Sequence, residues 1–561
     1  MTQTPAARLL RGSPRLVLVL LVLPVVAGIA GTVLPAFGMT TAPGLDALRA
    51  LAAWPGLPGA AALSLATGLL STMVALGLTV LMLATLSRSR AFMALRGLLA
   101  PLLAIPHAAA ALGLAFLIAP SGWLARVLSP WATGWDTPPD LLILNDPWGL
   151  SLTFGLIAKE LPFLLLMALA ALPQCDATRR MQVARTMGYG EVAGFCLTVV
   201  PALYPMLRLP VLAVLAYGMT SVDMGLILGP TRPPTLAVQI TLWMAEPGLG
   251  KGGVAAAAAL AQLALTLAAI GLWRMGERTV AGLRLAITWR GWRMTGLDRV
   301  RAWVHGAALG LTIALIAAVV ALGVWSVAGL WPFPQVAPQG LTLSAWSEAA
   351  PSLTATSATT LAIALMVAGT ALAVALMWLQ AEYLFNLPPL PPLMLYLPLI
   401  VPQVCFLPGL EFLALRLNAT GGLASVAAAH LIFVLPYVYL AASGPFRAWD
   451  RRVAVVAATL GASPARVFWR LRLPMLMGPM AVAAAIGVAV SVGQYLPTLM
   501  VGGGRVSTLT TEALALASGG NRRLTSAYGL LQTLWPAVGF ALALTVPPVI
   551  LRYWRRQGVA S

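Results

Sequence analysis

Gln182-Val183-Ala184-Arg185-Thr186-Met187-Gly188-Tyr189-Gly190, followed by Phe195 and Val199-Val200-Pro201, occurs in this chain in two versions. The second is Val455-Val456-Ala457-Ala458-Thr459-Leu460-Gly461-Ala462-Ser463, followed by Phe468 and Arg472-Leu473-Pro474. A shift of 273 positions lays Val183 on Val456, Ala184 on Ala457, Thr186 on Thr459, Gly188 on Gly461, Phe195 on Phe468 and Pro201 on Pro474. Small residue, glycine, aromatic and proline at fixed offsets mark a duplicated element. A helix that docks closely on another backbone needs small side chains on its contact face, here Ala184 and Ala457. Gly188 and Gly461 let the chain turn where a side chain would be strained.

The pattern resembles the cytoplasmic coupling loop of type I ABC importer permeases, written E-A-A-x-x-x-G with an apolar-Pro pair downstream of the glycine. The resemblance implies a short helix lying in a groove of a separate ATPase subunit. It places the ATPase-coupling residues at Ala184, Gly188, Tyr189 and Gly190 (loop near 179–195) and at Ala457, Gly461, Ala462 and Ser463 (loop near 452–468). The family's Glu is Gln182 in one copy and Val455 in the other, so an ion pair made by that Glu is absent or relocated.

The composition around both copies fits a bilayer. Hydrophobic residues make up 60% of the chain, charged residues 9%, and the mean hydropathy is +0.89. Water-soluble domains carry about 25% charged residues, so a soluble globule is excluded. Spanning segments need about 20 mostly apolar residues, and lipid obliges the backbone to satisfy itself inside helices or closed barrels. Barrel-type alternation is missing, so the expected class is an all-α integral membrane protein. Cys175, Cys196 and Cys405 lack paired spacing, and His107, His305 and His430 are isolated, so no metal site or cofactor is indicated.

Apolar runs predict spans at 16–37, 60–86, 96–119, 149–172, 197–229 and 253–273, then 304–330, 354–379, 391–415, 422–443, 474–500 and 526–551. The first follows Arg8, Arg11 and Arg15 like a secretory signal, but it is long enough to span and is read as an uncleaved helix. Twelve spans divide into six-helix halves at 1–273 and 304–561, joined by a basic linker at 274–303. With the N-terminus inside, cytoplasmic segments hold 25 of the 35 Lys and Arg residues and outer segments 8. This positive-inside signal accounts for the net charge of +19 without nucleic acid. It puts both termini and both duplicated loops in the cytoplasm, and the resemblance implies that the membrane is a bacterial inner membrane. The linker, with Trp289, Trp292 and Trp303 among its arginines, is expected to rest on anionic lipid headgroups.

The duplication extends further. Ile105-Pro106-His107 resembles Val401-Pro402-Gln403, Glu160-Leu161-Pro162 sits where Val434-Leu435-Pro436 does, and Pro234-Thr235-Leu236 matches Ser507-Thr508-Leu509. Even numbers of spans give the halves one orientation, as parallel repeats about an axis along the membrane normal, with a pathway between them. Charges in a bilayer cost about 2.5–3.5 kcal/mol on insertion scales, so Lys159, Glu160, Arg208, Asp223 and Glu411 need reasons to be there. Asp223 is the expected partner of Lys159, Arg208 is expected to snorkel, and Glu411 follows Pro408-Gly409, where a broken helix would expose carbonyls. The candidate pathway set is His107, Lys159, Glu160, Asp223, Gln403, Glu411, His430 and Gln494. For each, lining a polar path and bonding one helix to another both stay open. The segments Gly229–Lys251 and Gly502–Arg523 are expected to form an outer gate or docking face.

No P-loop surrounds Lys159 or Lys251. ATP, if it drives the protein, is hydrolysed on another chain, and no enzymatic constellation such as H-E-x-x-H occurs. By its six-plus-six layout the chain is most similar to the fused permeases of iron(III), thiamine and related uptake systems. That likeness implies two cytoplasmic ATPase subunits, a periplasmic solute-binding protein and a small polar or charged solute. The alternative is a twelve-helix secondary transporter of the major-facilitator type. That family wants G-x-x-x-D-R-x-G-R-R after the second span, where this chain reads Ser87-Arg88-Ser89-Arg90-Ala91-Phe92.

Overall fold

Ala/Leu/Val-rich runs fold here as helices because lipid supplies no partner for a backbone N–H or C=O. The computed structural model describes residues 5–39, 43–86, 90–246, 249–418 and 421–556. Residues 87–89, in the loop without the major-facilitator motif, lie outside the described residues, as do the ends at 1–4 and 557–561. Among the described residues, ten helices are long and apolar enough to cross a membrane, or up to twelve if each of two bent pairs is one span. This is the all-α class that the apolar runs predict, with ten to twelve candidate spans against the expected twelve.

In chain order the first half comprises α1 (Leu10–Ala36), α2 (Leu57–Leu86), α3 (Arg90–Ala104), α4 (His107–Ile118), α5 (Leu150–Ala171), α6 (Ala177–Thr186), α7 (Glu191–Thr220), α8 (Val222–Leu228), α9 (Leu236–Ala245) and α10 (Leu249–Trp289). The second comprises α11 (Arg301–Val327), α12 (Ala350–Phe385), α13 (Pro392–Ile400), α14 (Gln403–Arg416), α15 (Leu423–Ala448), α16 (Arg451–Thr459), α17 (Pro464–Met475), α18 (Met477–Val492), α19 (Leu496–Gly502), α20 (Leu509–Ala517) and α21 (Arg522–Arg556).

The halves repeat down to their defects. Both third spans break at a proline, Pro106 between α3 and α4 and Pro402 between α13 and α14, the latter pair bent by 85°. Proline has no N–H to give and clashes with the preceding turn. Both fifth spans stop short of a further helix, at Ser221 and at Gly493-Gln494. The short helices that follow, α9 and α20, are each fixed by a hydroxyl from the second span: Leu236 N–H donates to Ser64 Oγ and Leu509 N–H to Thr360 Oγ1, each at 3.0 Å. The buried residues of α9 and α20 (Leu236, Ile240 and Trp243; Leu509, Ala513 and Leu514) pack each short helix into the protein.

Each half lends its first helix to the other. α1 lies along α14, where Gly28, Gly31 and Gly409 bring the backbones together: a Cβ on Gly28 would overlap the Phe406 carbonyl. Thr32 Oγ1 then donates to Cys405 O at 2.9 Å. α11 lies against α4 and α2, with Gly113 under Ala318 O. Small residues at helix crossings suit a bilayer, where close packing replaces the hydrophobic effect as the force between helices. This corrects the reading of Pro408-Gly409. α14 runs unbroken through both, the break lies at Val401-Pro402, and Gly409 serves the crossing with α1.

The segment 274–303 between the halves is part helix and part contact with the first duplicated loop. α10 continues past residue 273 to Trp289, so about half of that segment is the helix's own extension. A short helical turn, Thr295–Val300, leads into α11. Trp289 and Trp303 stay exposed, but Arg293 and Asp298 turn back to the first duplicated loop.

Candidate functional site: paired elbows and a polar seam

The duplicated stretches build two elbows with one backbone. α6 ends with Gly188 at φ +82 and α16 with Gly461 at φ +81. In the first, Gly188 N–H donates to Arg185 O (2.9 Å) and Tyr189 N–H to Ala184 O (3.0 Å). In the second, Gly461 N–H donates to Ala458 O (3.0 Å) and Ala462 N–H to Ala457 O (2.9 Å). This is the paired-bond glycine stop in which the left-handed residue lets the last carbonyls find donors. The chain then restarts as helix from Gly190 (φ −65, ψ 169) and Ser463 (φ −68, ψ 155). Both restarts widen into a π turn, Phe195–Val199 and Phe468–Arg472, before the proline.

The starts are supported differently. Ser463 Oγ accepts from Arg466 N–H at 3.3 Å, a cap made within the elbow. Gly190 has no side chain, and Asp298 takes its place: Oδ2 accepts from Glu191 N–H (3.1 Å) and Oδ1 from Val192 N–H (2.9 Å). Arg293 lies over the Tyr189 ring at 4.5 Å. Arg185 pairs with Glu191 at 2.7 Å, and this partner holds its guanidinium proton more firmly than usual.

Ala184 and Ala457 do not form the outward contact face expected of them. They are 1% and 8% exposed, and Ala184 faces Gly194, Tyr189 and Ala193 inside the elbow. Their smallness serves the close return of the chain after the glycine. The outward apolar residues include the equivalent pairs Val183 and Met187 on one elbow and Val456 and Leu460 on the other, all more than half exposed, with Val455 exposed beside the second pair. These are equivalent positions one helical turn apart. Apolar groups at i and i+4 carried the signal, obscured in a chain where apolar residues are everywhere.

Between the halves the polar residues sort themselves. His107, first in α4, places Nε2 3.2 Å from Glu160 Oε1, and its ring lies 4.5 Å from that of Tyr217. Asp223 accepts from Ser221 Oγ (2.9 Å) and Tyr217 Oη (3.2 Å). Lys159 is not its partner: Nζ donates to Leu102 O (3.1 Å) and Leu103 O (3.3 Å). Those carbonyls end α3 where Pro106 has no N–H to offer, so the lysine satisfies a broken helix end. Gln403 starts α14 as His107 starts α4, and is half-buried like Gln494 at the break after α18. Phe163 and Tyr437, one from each half, have ring centroids 6.5 Å apart across this seam.

His430 leaves the candidate set. It is 1% exposed, with Nδ1 2.9 Å from Ser491 Oγ and Nε2 2.8 Å from Thr498 Oγ1. Both nitrogens are used inside the second half. Glu411 is half-buried on α14. Arg208 does not snorkel alone but meets Glu277 of α10 at 3.2 Å. At the end opposite the elbows, Trp325, Ser344, Glu348, Asn521, Arg522 and Arg523 line a cleft of about 520 Å³. Arg522 there donates to Ser121 Oγ at 2.6 Å, bridging the halves.

Residues 383–556 match the family described as binding-protein-dependent transport system inner membrane component. The chain is 31% identical over 536 residues to the inner membrane ABC transporter permease protein YnjC of Escherichia coli strain K12, covering 95% of this chain and 97% of that protein. Over 93 residues it is 34% identical to the molybdenum transport system permease protein ModB of Mycobacterium tuberculosis, covering 17% of this chain and 35% of that protein. Duplicated elbows, broken spans and near full-length similarity converge: the chain belongs to the binding-protein-dependent transport system inner membrane components, as a multi-pass ABC transporter permease of the inner membrane.

Proposed function

We propose that this chain is the complete membrane pathway of an ATP-driven importer, with both permease halves (1–273 and 304–561) on one polypeptide. Two ATPase subunits grip the elbows in the cytoplasm, where both termini also lie. A periplasmic solute-binding protein docks at the opposite end, around the cleft lined by Arg522 and Arg523. Closure of the ATPases on ATP draws the elbows together. Each elbow runs through its π turn into the fifth span of its half, so the movement reaches the breaks at Ser221 and Gln494 in the polar seam. The seam carries Glu160, His107, Asp223, Gln403 and Gln494, which suits a small polar or charged solute.

The observation that carries this reading is the equivalent exposed apolar pair on each elbow, Val183 with Met187 and Val456 with Leu460. An aspartate there would be desolvated by a docking groove. Val183→Asp with Val456→Asp should leave insertion intact while lowering ATPase copurification and uptake by roughly tenfold or more. Undiminished ATPase recovery would refute the grip, and uptake by the purified chain alone on a proton gradient would refute the importer.

A further inference from the structure

We propose that Asp298, from the segment joining the halves, is a positioning residue for the first ATPase-docking elbow, supplying in trans the helix cap that Ser463 supplies in cis to the second. The inference rests on the coupling role proposed above and concerns what holds one of the two docking surfaces in shape. Gly190 and Ser463 are equivalent positions with nearly the same backbone angles. At φ −65 any residue could stand at 190, so glycine is not there for conformational freedom. It is there for space: a Cβ would stand 2.6 Å from Asp298 Oδ2. The carboxylate occupies the room of the missing side chain and accepts the two N–H groups that open the helix, Glu191 at 3.1 Å and Val192 at 2.9 Å.

The contact extends to either side. Arg293 covers the Tyr189 ring at 4.5 Å, and its side chain passes within van der Waals reach of where a Cβ on Gly188 would stand. Thr295–Val300 then passes directly into α11, which packs on α2 and α4 of the first half. The first elbow is therefore held between its own half and the entry to the second. The segment between the halves is a working part of the docking surface rather than a tether.

Four variants of the full chain, assembled with its ATPase subunits in nanodiscs, test this by hydrogen exchange over residues 183–200 and by uptake per ATP. Asp298→Ala should speed exchange at the Glu191 and Val192 amides roughly fivefold, the factor expected for a lost cap, and lower uptake per ATP. Gly190→Ser should do the same, because the added side chain displaces the carboxylate. Combining the two should restore uptake per ATP and slow exchange at the Ala193 amide, the equivalent of the Arg466 amide that Ser463 caps in cis. Asp298→Asn, which keeps one acceptor oxygen and sets an amide NH2 against the other N–H, should fall between wild type and Asp298→Ala. Unchanged exchange in Asp298→Ala overturns the inference whatever the elbow does. A double variant that slows exchange at the Ala193 amide but does not recover uptake overturns capping as the contribution of Asp298. The coupling reading fails separately, if Val183→Asp with Val456→Asp leaves ATPase binding intact.

Discussion

At Gly461 the second elbow turns with φ +81 and opens its next helix on the hydroxyl of Ser463; at Gly188 the first turns with φ +82 and opens its next helix on a carboxylate from over a hundred residues downstream. The second is also capped at its entry, where Asp450 accepts from Arg452 N–H at 2.9 Å, whereas Asp176, at the entry to the first, sits at φ +48 with no such bond from its side chain. Duplication kept the backbone and let its supports diverge. One elbow is self-sufficient, and the other leans on the connection that came with joining the halves.

The harshest way to break the comparison is to spoil the feature both elbows share. A β-branched residue at either left-handed position costs on the order of 1–3 kcal/mol in backbone strain. Gly188→Val with Gly461→Val should insert normally yet lose most uptake per ATP in vesicles. The single variants should lose similar shares, because the two φ values are nearly equal. A strong effect from one and none from the other would mean that only one elbow transmits force.

The seam gives a second, milder contrast, since its carboxylates Glu160 and Asp223 come from the first half while the second offers Gln403 and Gln494. Glu160→Gln keeps a hydrogen-bonding group beside His107 and removes the charge. Uptake should fall several-fold with thermal stability nearly unchanged. His430→Ala should do the reverse, because it leaves Ser491 without its buried partner, at about 1–3 kcal/mol. Equal effects of both on stability would place Glu160 among the struts.

Much of this is legible in the chain. Twelve apolar runs, two glycine stops and paired prolines announce the helices, the duplication and the breaks, because each depends on local chemistry. Direction is what a linear pattern lacks. Smallness points Ala184 and Ala457 outward, but an alanine four positions before the left-handed glycine must lie under the returning chain. Charge pairs Lys159 with a carboxylate, yet its acceptors are carbonyls that Pro106 orphans on a neighbouring helix. His430 reads as a pathway group until Ser491 and Thr498, more than sixty residues away, close on it. Asp298 lies in a segment dominated by arginines, and nothing local ties it to Gly190. Partners at long range are where a single sequence runs out.

The finest test of the contrast is Ser463→Ala. Removing a serine cap costs about 1 kcal/mol, enough to speed exchange at the Arg466 amide roughly fivefold while the glycine stop stays intact. Because the second elbow keeps Asp450 at its entry and does not depend on the segment between the halves, the damage should stay within residues 463–468 and uptake per ATP should fall less than twofold. Asp298→Ala, which removes two bonds and releases a segment continuous with α11, should disturb more of the chain. If the two substitutions spread equally far, the elbows are held alike after all, and the longer route taken by the first has no mechanical meaning.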